Sequence, residues 1–456
     1  MRKTAILSTL AALLMTACQS YDTELPMPDD ETLTELQLIG AAETYSKMRT
    51  AQDAVDIANS VMSRINGQAR SSRIITASEA IVIRSKIKSR SDADTLMYAV
   101  NFGDNEGFVL VSAPTLVEPI IALTEQGDFN AATTQDNSAF QSALTMAENY
   151  IVSKVKPVDP IGPIEPIDTG AFPLIKKEYT TKTKYDMKTR NLDIAWGQGW
   201  PENIYAPNSI AGCVPVAIAQ IMCYFQCPSQ IKYTFSTAPI PNEELHWENI
   251  SLHKKVELSY NADSYLKEHH YSECDADKYV HETIGRIVRE IGQRANARYR
   301  TDGTGTGVSS GDDINTLKNM LNGSLDYYTI EGTSAYELCE SFYQNKGNGI
   351  AYARGRDPED DSGHAWVADG AWLNGYITKH YVLVDSKNGI YMMDWWKDEV
   401  ARYLHFNWGY NGNSDGYFLV DIFDSKKGSE YDNPSIYPND FNYENQFYYC
   451  LINKRN

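Results

Sequence analysis

Residues 209–228 read SIAGCVPVAIAQIMCYFQCP. From Cys213 to Phe225 the run is apolar and uncharged, and it follows a glycine. It predicts a helix that begins at Cys213. Pro215 falls in the first turn, where a missing N–H costs nothing. The stretch holds three of the chain's seven cysteines. Only Cys213 sits at a helix start, where unpaired N–H groups and the helix dipole favour a thiolate. Cys223 and Cys227 are four residues apart, a spacing that could suit a metal. No neighbouring His or Cys completes a tetrahedral set, so both are read as packing and no metal is expected.

A thiolate nucleophile needs an imidazole partner. Five of the eight histidines, His246, His253, His269, His270 and His281, lie in polar or helical surroundings and read as surface residues. His380 precedes YVLV and His405 opens HFNWGY. His364 stands apart in DSGHAWVADGAW, at the start of a strand, with Gly363 before it. That glycine leaves room for close approach to the backbone. A third group must orient the ring. HFNWGYNGNSDGYF offers Asn407, whose amide would hold the far ring nitrogen, and Trp408, whose indole would shield that bond. A tetrahedral intermediate also needs an oxyanion donor. AWGQGWP offers Gln198 between Gly197 and Gly199, with the Cys213 amide as a second donor.

Together WGQGWP, GCVPVAIAQIM, GHAWVADGA and HFNWGYNGNSDGYF, in that order, resemble the streptopain family of papain-like bacterial cysteine proteases. HWENI and the small-residue loop GTGTGVSS are similar more loosely. MYAVNFGDNEGFVLVSA and PIIALTEQGDF resemble the family's inhibitory prodomain. The resemblance implies Cys213 as nucleophile, His364 as general base, Gln198 as oxyanion donor and Asn407 with Trp408 behind the histidine. It implies substrate contact by the Gly363 backbone and places the cleft loop near Thr306. No cofactor is expected. The chain departs from the family in LNGYITKHYVLVDSKNGIYMMDWWKDEVARY, an insertion that reads as an extra hairpin. Two other classes stay open: a papain-like cell-wall amidase, and a surface lipoprotein that has lost activity.

Around these motifs the pattern predicts an α+β catalytic domain over residues 191–456, its helical part packed on an antiparallel sheet. DKYVHETIGRIVREIGQRA, GDDINTLKNMLN and SAYELCESFYQN are helices, the last with Cys339 among its apolar positions. From Gly349 the runs GIAYARG, HAWVADGAW, HYVLVDS, GIYMMDWW, YLHFNWGY and DGYFLVDIF are strands. Helices first and sheet later argue against a doubly wound sheet. Residues 157–190 read as a linker. Pro157, Pro160, Pro163 and Pro166 favour polyproline II, and the Lys-rich KKEYTTKTKYDMKTR that follows reads as exposed and open to proteolysis. Residues 46–156 read as a small α+β inhibitory prodomain with a helix near 50–70, three strand runs and the helix SAFQSALTMAENYIVSKV.

At the start, MRKTAILSTLAALLMTACQS has the charge, apolar run and small residues of an export signal over 1–17. LMTAC resembles a bacterial lipobox, which implies lipid on Cys18. A plain signal ending near Ala17 is the alternative. Residues 18–45 read as a polar tether. The reading places the chain in the bacterial cell envelope, as an outer-membrane or surface lipoprotein, with the catalytic domain freed to the periplasm or outside once cut. The expected partners are protein or peptide substrates, the chain's own prodomain as inhibitor, and the membrane through the lipid. Cys274, Cys339 and Cys450 complete a set whose spacings show no disulfide framework. With 456 residues the chain can bury its core without such staples. A net charge of −19 argues against nucleic acid as a partner.

Overall fold

Alternation of side chains across one large antiparallel sheet organises this protein. A computed structural model describes residues 48–65, 80–84, 95–103, 105–130, 137–155, 175–208, 210–238, 240–253, 275–300, 305–356, 363–386, 389–423 and 447–455. The leader, the tether with Cys18, Cys274 and the proline-rich stretch lie outside the described residues, which belong to a single compact unit over 47–456. Among the described residues no helix is long and apolar enough to cross a membrane.

Helix α1 (Ala51–Ile65) opens the first part of the unit. Its start is a reciprocal cap: Thr50 N donates to the Asp53 carboxylate at 2.7 Å, and Asp53 N donates to the Thr50 hydroxyl at 3.2 Å. Strands β1 (Ala80–Arg84), β2 (Thr95–Asn101), β3 (Phe108–Ser112) and β4 (Ile120–Thr124) form an antiparallel meander, followed by α2 (Ser138–Val155). Ala54, Ala58 and Val61 of α1 pack on one face of this meander, against Tyr98, Val100, Val109 and Val111. Phe140, Ala143 and Ala147 of α2 pack on the other, against Met97, Ala99, Phe108 and Leu110. The residues of β2 and β3 divide between the two cores with a period of two, as a sheet covered on both faces requires.

Strand β5 (Ile175–Lys188) comes next. Then follow α3 (Cys213–Phe225), the small hairpin of β6 (Gln230–Lys232) and β7 (Asn242–Glu244), α4 (Trp247–Ile250) and α5 (Asp275–Arg294). A second small pair, β8 (Arg298–Tyr299) and β9 (Thr306–Gly307), leads to α6 (Asp312–Leu321), β10 (Tyr327–Gly332) and α7 (Ala335–Gln344). Strands β11 (Ile350–Arg356), β12 (Gly363–Ser386), β13 (Gly389–Asn407), β14 (Gly416–Leu419) and β15 (Phe447–Lys454) complete the fold. The main sheet runs β1-β2-β3-β4-β14-β13-β12-β11-β15-β10, with β5 added to β12. The α+β class with helices on an antiparallel sheet is therefore what forms.

Helix α3 lies in the core. Every residue from Val214 to Cys223 is buried, as expected for a helix apolar on all sides. Full burial of side chains such as Val216, Ile218 and Ile221 contributes roughly 1.5–3 kcal/mol each. Their partners include Ile284 and Ile287 of α5, Leu317 of α6, and Ala365 and Val367 of β12. Trp366 and Ala368 of β12 face the opposite core, with α7 and α2.

One reading is corrected here. The segment taken as the exposed end of the 157–190 linker is strand β5, paired antiparallel to β12 from Ile175↔Val384 to Lys188↔Trp372. Its low hydrophobicity reflects a strand with a solvated face. The predicted extra hairpin does form, as the long outer parts of β12 and β13 joined at Ser386↔Gly389, and β5 widens it to three strands. Also, the inhibitor-like and catalytic parts share the main sheet: β4 pairs with β14 through Thr124↔Gly416, Leu123↔Tyr417 and Ala122↔Phe418.

Candidate active site

Gly212 sets where α3 starts. Its φ is +95°, a conformation that glycine adopts without a Cβ penalty. A Cβ there would stand 2.9 Å from Thr306 Cβ, so side-chain space is absent as well. The first helical bond runs from Val216 N to Gly212 O at 3.2 Å, and Pro215 occupies a position whose N–H would have no partner within the helix. Cys213 is thus presented at the free end of the helix, with Thr306 beside it.

Cys213 is half-buried, and desolvation opposes the charge of its thiol. The His364 charge and hydrogen bond, together with the N–H groups of Ala365 and Val214, outweigh that and hold the thiol below its ordinary value. His364 mirrors this. Burial works against the imidazolium, but the Cys213 sulfur and the Trp408 carbonyl raise it above the usual histidine range. Three other cysteines, Cys227, Cys339 and Cys450, behave in the opposite way. Burial pushes Cys227 up to about 11 and Cys450 up to about 12. Cys339, buried in α7, is pushed up as well. Of these four thiols, Cys213 is the one poised as a nucleophile by a charged partner.

His364 Nε2 lies 2.9 Å from the Trp408 carbonyl oxygen. Nδ1 is then the nitrogen left for the thiol, a tautomer set by the distant bond. The ring is flanked by Trp366, near parallel at 12° and 6.2 Å between centroids, and by Tyr410 at 5.4 Å. This corrects the expected role of Asn407, whose amide does not hold the ring. Asn407 Nδ2 donates to the Ile194 carbonyl at 2.8 Å, and its Oδ1 accepts from Gly409 N at 3.1 Å and from Gln220 Nε2 at 3.2 Å. The backbone of the next residue does the orienting. Trp408 itself is buried, with its N held by Asp415 Oδ1 and its indole N–H by the Ser414 carbonyl. It packs against Trp366 at 5.0 Å rather than on the histidine.

Gln198 is brought to the same place. Its carbonyl accepts from Ala211 N at 2.9 Å, which ties its loop to the segment just before Cys213. Its side chain acts as donor to the Tyr410 hydroxyl oxygen, which eases the upward push that burial gives the phenol. Trp196 N, two residues earlier, donates to Gln220 Oε1 at 3.1 Å. The buried Glu202 carboxyl accepts from Gly197 N, and desolvation pushes it up to about 8. Gly363 is exposed at the start of β12 beside His364, with only the Gly355 carbonyl, at 3.9 Å, near its Cβ position.

The structure thus gathers Cys213, His364, Gln198, Trp408 and Thr306 at one point, with Gly363 at its margin and Asn407 as a brace behind it. Sequence reasoning missed Gln220, Trp366 and Tyr410. Signals existed for each: one polar residue inside an apolar helix, an aromatic two residues after His364 on the same strand face, and an aromatic closing NWGY. His281, read as a surface residue, is buried 4.5 Å from the Trp200 ring.

Residues 196–418 match the model of the Peptidase C10 family. The chain belongs to this family of cysteine peptidases. Residues 46–156 of this C10 peptidase match the Spi protease inhibitor family, so its first part is an inhibitor-like prodomain. It is 23% identical over 154 residues to the thiol protease/hemagglutinin PrtT of Porphyromonas gingivalis, a stretch that covers 31% of this chain and 17% of that protein. Among solved structures it is similar to a prointerpain A fragment of Prevotella intermedia, at 17% identity and a TM-score of 0.48, over 82% of this chain and 98% of that one. Active interpain A from the same organism matches at 18% identity and a TM-score of 0.34, over 58% and 93% of the two chains.

Proposed function

We propose that this C10 peptidase is an exported cysteine endopeptidase made as an autoinhibited zymogen. The Cys213 thiolate, paired with the His364 imidazolium, attacks a peptide carbonyl. The Gln198 carboxamide and the Cys213 N–H hold the oxyanion. His364 gives its proton to the leaving amine, and the C–N bond breaks to leave an acyl-enzyme. His364 then takes a proton from water, whose oxygen attacks the thioester and releases the acid and the thiolate. Gly363 offers its backbone to substrate, and Thr306 lines the cleft. Asn407 acts at one remove, by bracing the segments that carry Gln198 and the Trp408 carbonyl. The observation that carries this reading is the pairing of Cys213, at the start of α3, with His364, whose ring is fixed by the Trp408 carbonyl, a pairing that moves the thiol down and the imidazole up.

In the same reading residues 1–17 are removed on export, Cys18 carries lipid, and the inhibitor-like prodomain holds the enzyme latent on the cell envelope until a cut beyond it frees the catalytic domain. The deciding test of the chemistry is Cys213→Ala. This variant is expected to lose all peptide hydrolysis and to melt like the parent, whereas Cys223→Ala keeps its activity. Retained hydrolysis in Cys213→Ala sinks the reading. The anchor is tested separately by labelling cells with a radioactive fatty acid, where Cys18→Ala is expected to abolish incorporation.

A further inference from the structure

Gln198 poses a question of orientation. A carboxamide has a donor end and an acceptor end, and only the donor end stabilises an oxyanion. Turned the other way, the same side chain presents an oxygen to the developing negative charge. Gly199 has nothing within 4 Å of its Cβ position, whereas a Gly197 Cβ would meet the Asn411 carboxamide. The segment 407–411 does reach this loop. Asn411 N donates to the Trp196 carbonyl at 3.4 Å, and the Asn411 carboxamide comes within 2.5 Å of where a Gly197 Cβ would stand. Tyr410 lies in that segment, with its ring 5.4 Å from the His364 ring.

We infer that Tyr410 is a positioning residue for the hydrolysis: its hydroxyl donates to Gln198 Oε1 and so turns the Gln198 NH2 toward the oxyanion. A tyrosine hydroxyl has one proton to give. In this chain that hydroxyl also lies 2.9 Å from the Ser138 hydroxyl, at the start of α2 in the inhibitor-like prodomain. Asn137 beside it donates to the Asn413 carbonyl at 3.0 Å, so the prodomain helix is seated on the same loop. When Ser138 takes the tyrosine proton, Tyr410 has only lone pairs to offer Gln198. These attract the NH2 group that the oxyanion needs. Departure of Ser138 returns the proton to Gln198 Oε1. The inference rests on Gln198 being the oxyanion donor, and it adds a group that sets the donor's orientation and is masked by the prodomain.

The test uses the full chain, processed in trans by a trace of wild-type enzyme. Tyr410→Phe keeps the ring against His364 and removes only the oxygen. Loss of a whole oxyanion donor slows turnover by about 10²–10³-fold, and loss of its orientation is expected to slow kcat by about tenfold, with KM held within about twofold. Alkylation of Cys213 by iodoacetamide builds no oxyanion, so its rate and pH profile in Tyr410→Phe are expected to match wild type. In a Gln198→Ala background the Tyr410→Phe change is expected to add nothing. Ser138→Ala is expected to leave kcat of the processed enzyme unchanged and to raise the activity of the unprocessed chain. Unaltered kcat in Tyr410→Phe overturns the inference, as does a full additional loss in Gln198→Ala. A shifted alkylation profile overturns it too, because Tyr410 would then act through His364. Hydrolysis by the Cys213→Ala control would instead remove the reading beneath it. Matching melting temperatures show that every variant folds.

Discussion

At the scale of single residues, Gln220 shows how much of the site depends on a group that touches neither reacting atom. It is fully buried in α3, two turns beyond Cys213. Its carboxamide accepts from Trp196 N and donates to Asn407 Oδ1. It therefore joins the segment carrying Gln198 to the segment carrying the Trp408 carbonyl, through the helix that aims the thiol. Buried groups left unpaired cost about 1–3 kcal/mol each. Gln220→Ala strands Trp196 N and takes from Asn407 Oδ1 one of its two donors, Gly409 N remaining, and is expected to lower stability by roughly 1–3 kcal/mol in urea unfolding. Iodoacetamide should still alkylate Cys213 with a normal pH profile in the folded fraction, because the Cys213–His364 pair is not touched. Unchanged stability would show that water replaces both bonds. The lone polar residue in CVPVAIAQIMCYF was legible as an anomaly. Its partners were not, since they come from residues 24 positions before it and 187 after it.

At the scale of elements, β5 is the segment that pattern reading misjudged. KKEYTTKTKYDMK looks like exposed linker, and from Thr180 to Lys188 most side chains are exposed. Within 180–188 only Tyr185 and Met187, two residues apart, are half-buried against the core, with Tyr185 4.8 Å from the Tyr343 ring. Thr and Tyr suit a pleated surface, and lysines guard an edge against further pairing. Lys182 also lies over the Tyr376 ring at 4.1 Å. A strand of this kind is decided by its partner β12, which comes nearly two hundred residues later. Proteases take extended, unpaired segments, and β5 is held by a ladder of backbone bonds. The cut that frees the prodomain is therefore expected outside Ile175–Lys188, on its N-terminal side, so that β5 stays with the catalytic domain. N-terminal sequencing of the processed product checks this. A new terminus inside the strand would show that β5 peels from β12 before cleavage.

At the scale of the whole molecule, latency and catalysis meet in one sheet. The β4–β14 pairing is short, and polar contacts flank it. Glu125, just after β4, pairs with Arg190 and lies 3.7 Å from His405 Nε2, while His405 Nδ1 is 2.5 Å from Asp369. Burial opposes the Glu125 charge, yet His405, Arg190 and Lys188 bring it down to about 2. Burial likewise opposes the His405 charge, yet Asp369 and Glu125 raise it to about 9. The Glu125 contribution is present above its ordinary value of 4.5 and is lost as pH falls toward about 2. The His405 contribution is present below its ordinary 6.5 and is lost as pH rises through about 9. In the Cys213→Ala chain, thermal stability is expected to peak between these limits. Glu125→Gln should lower that peak by about 1–2 kcal/mol and flatten the acid side. An unchanged acid limb would remove Glu125 from the contact. The local signals of this chain settled much by themselves: the helix at Cys213, the strand that begins at His364, the four motifs in order, and the family. Those features rest on short-range patterns of size, charge and spacing, which neighbouring residues carry. Tertiary structure alone decided that a carbonyl rather than the Asn407 amide holds the histidine, that a polar stretch is a strand, and that prodomain and enzyme share a sheet. Each of these depends on which backbone group a distant segment leaves unpaired, and no local pattern encodes that.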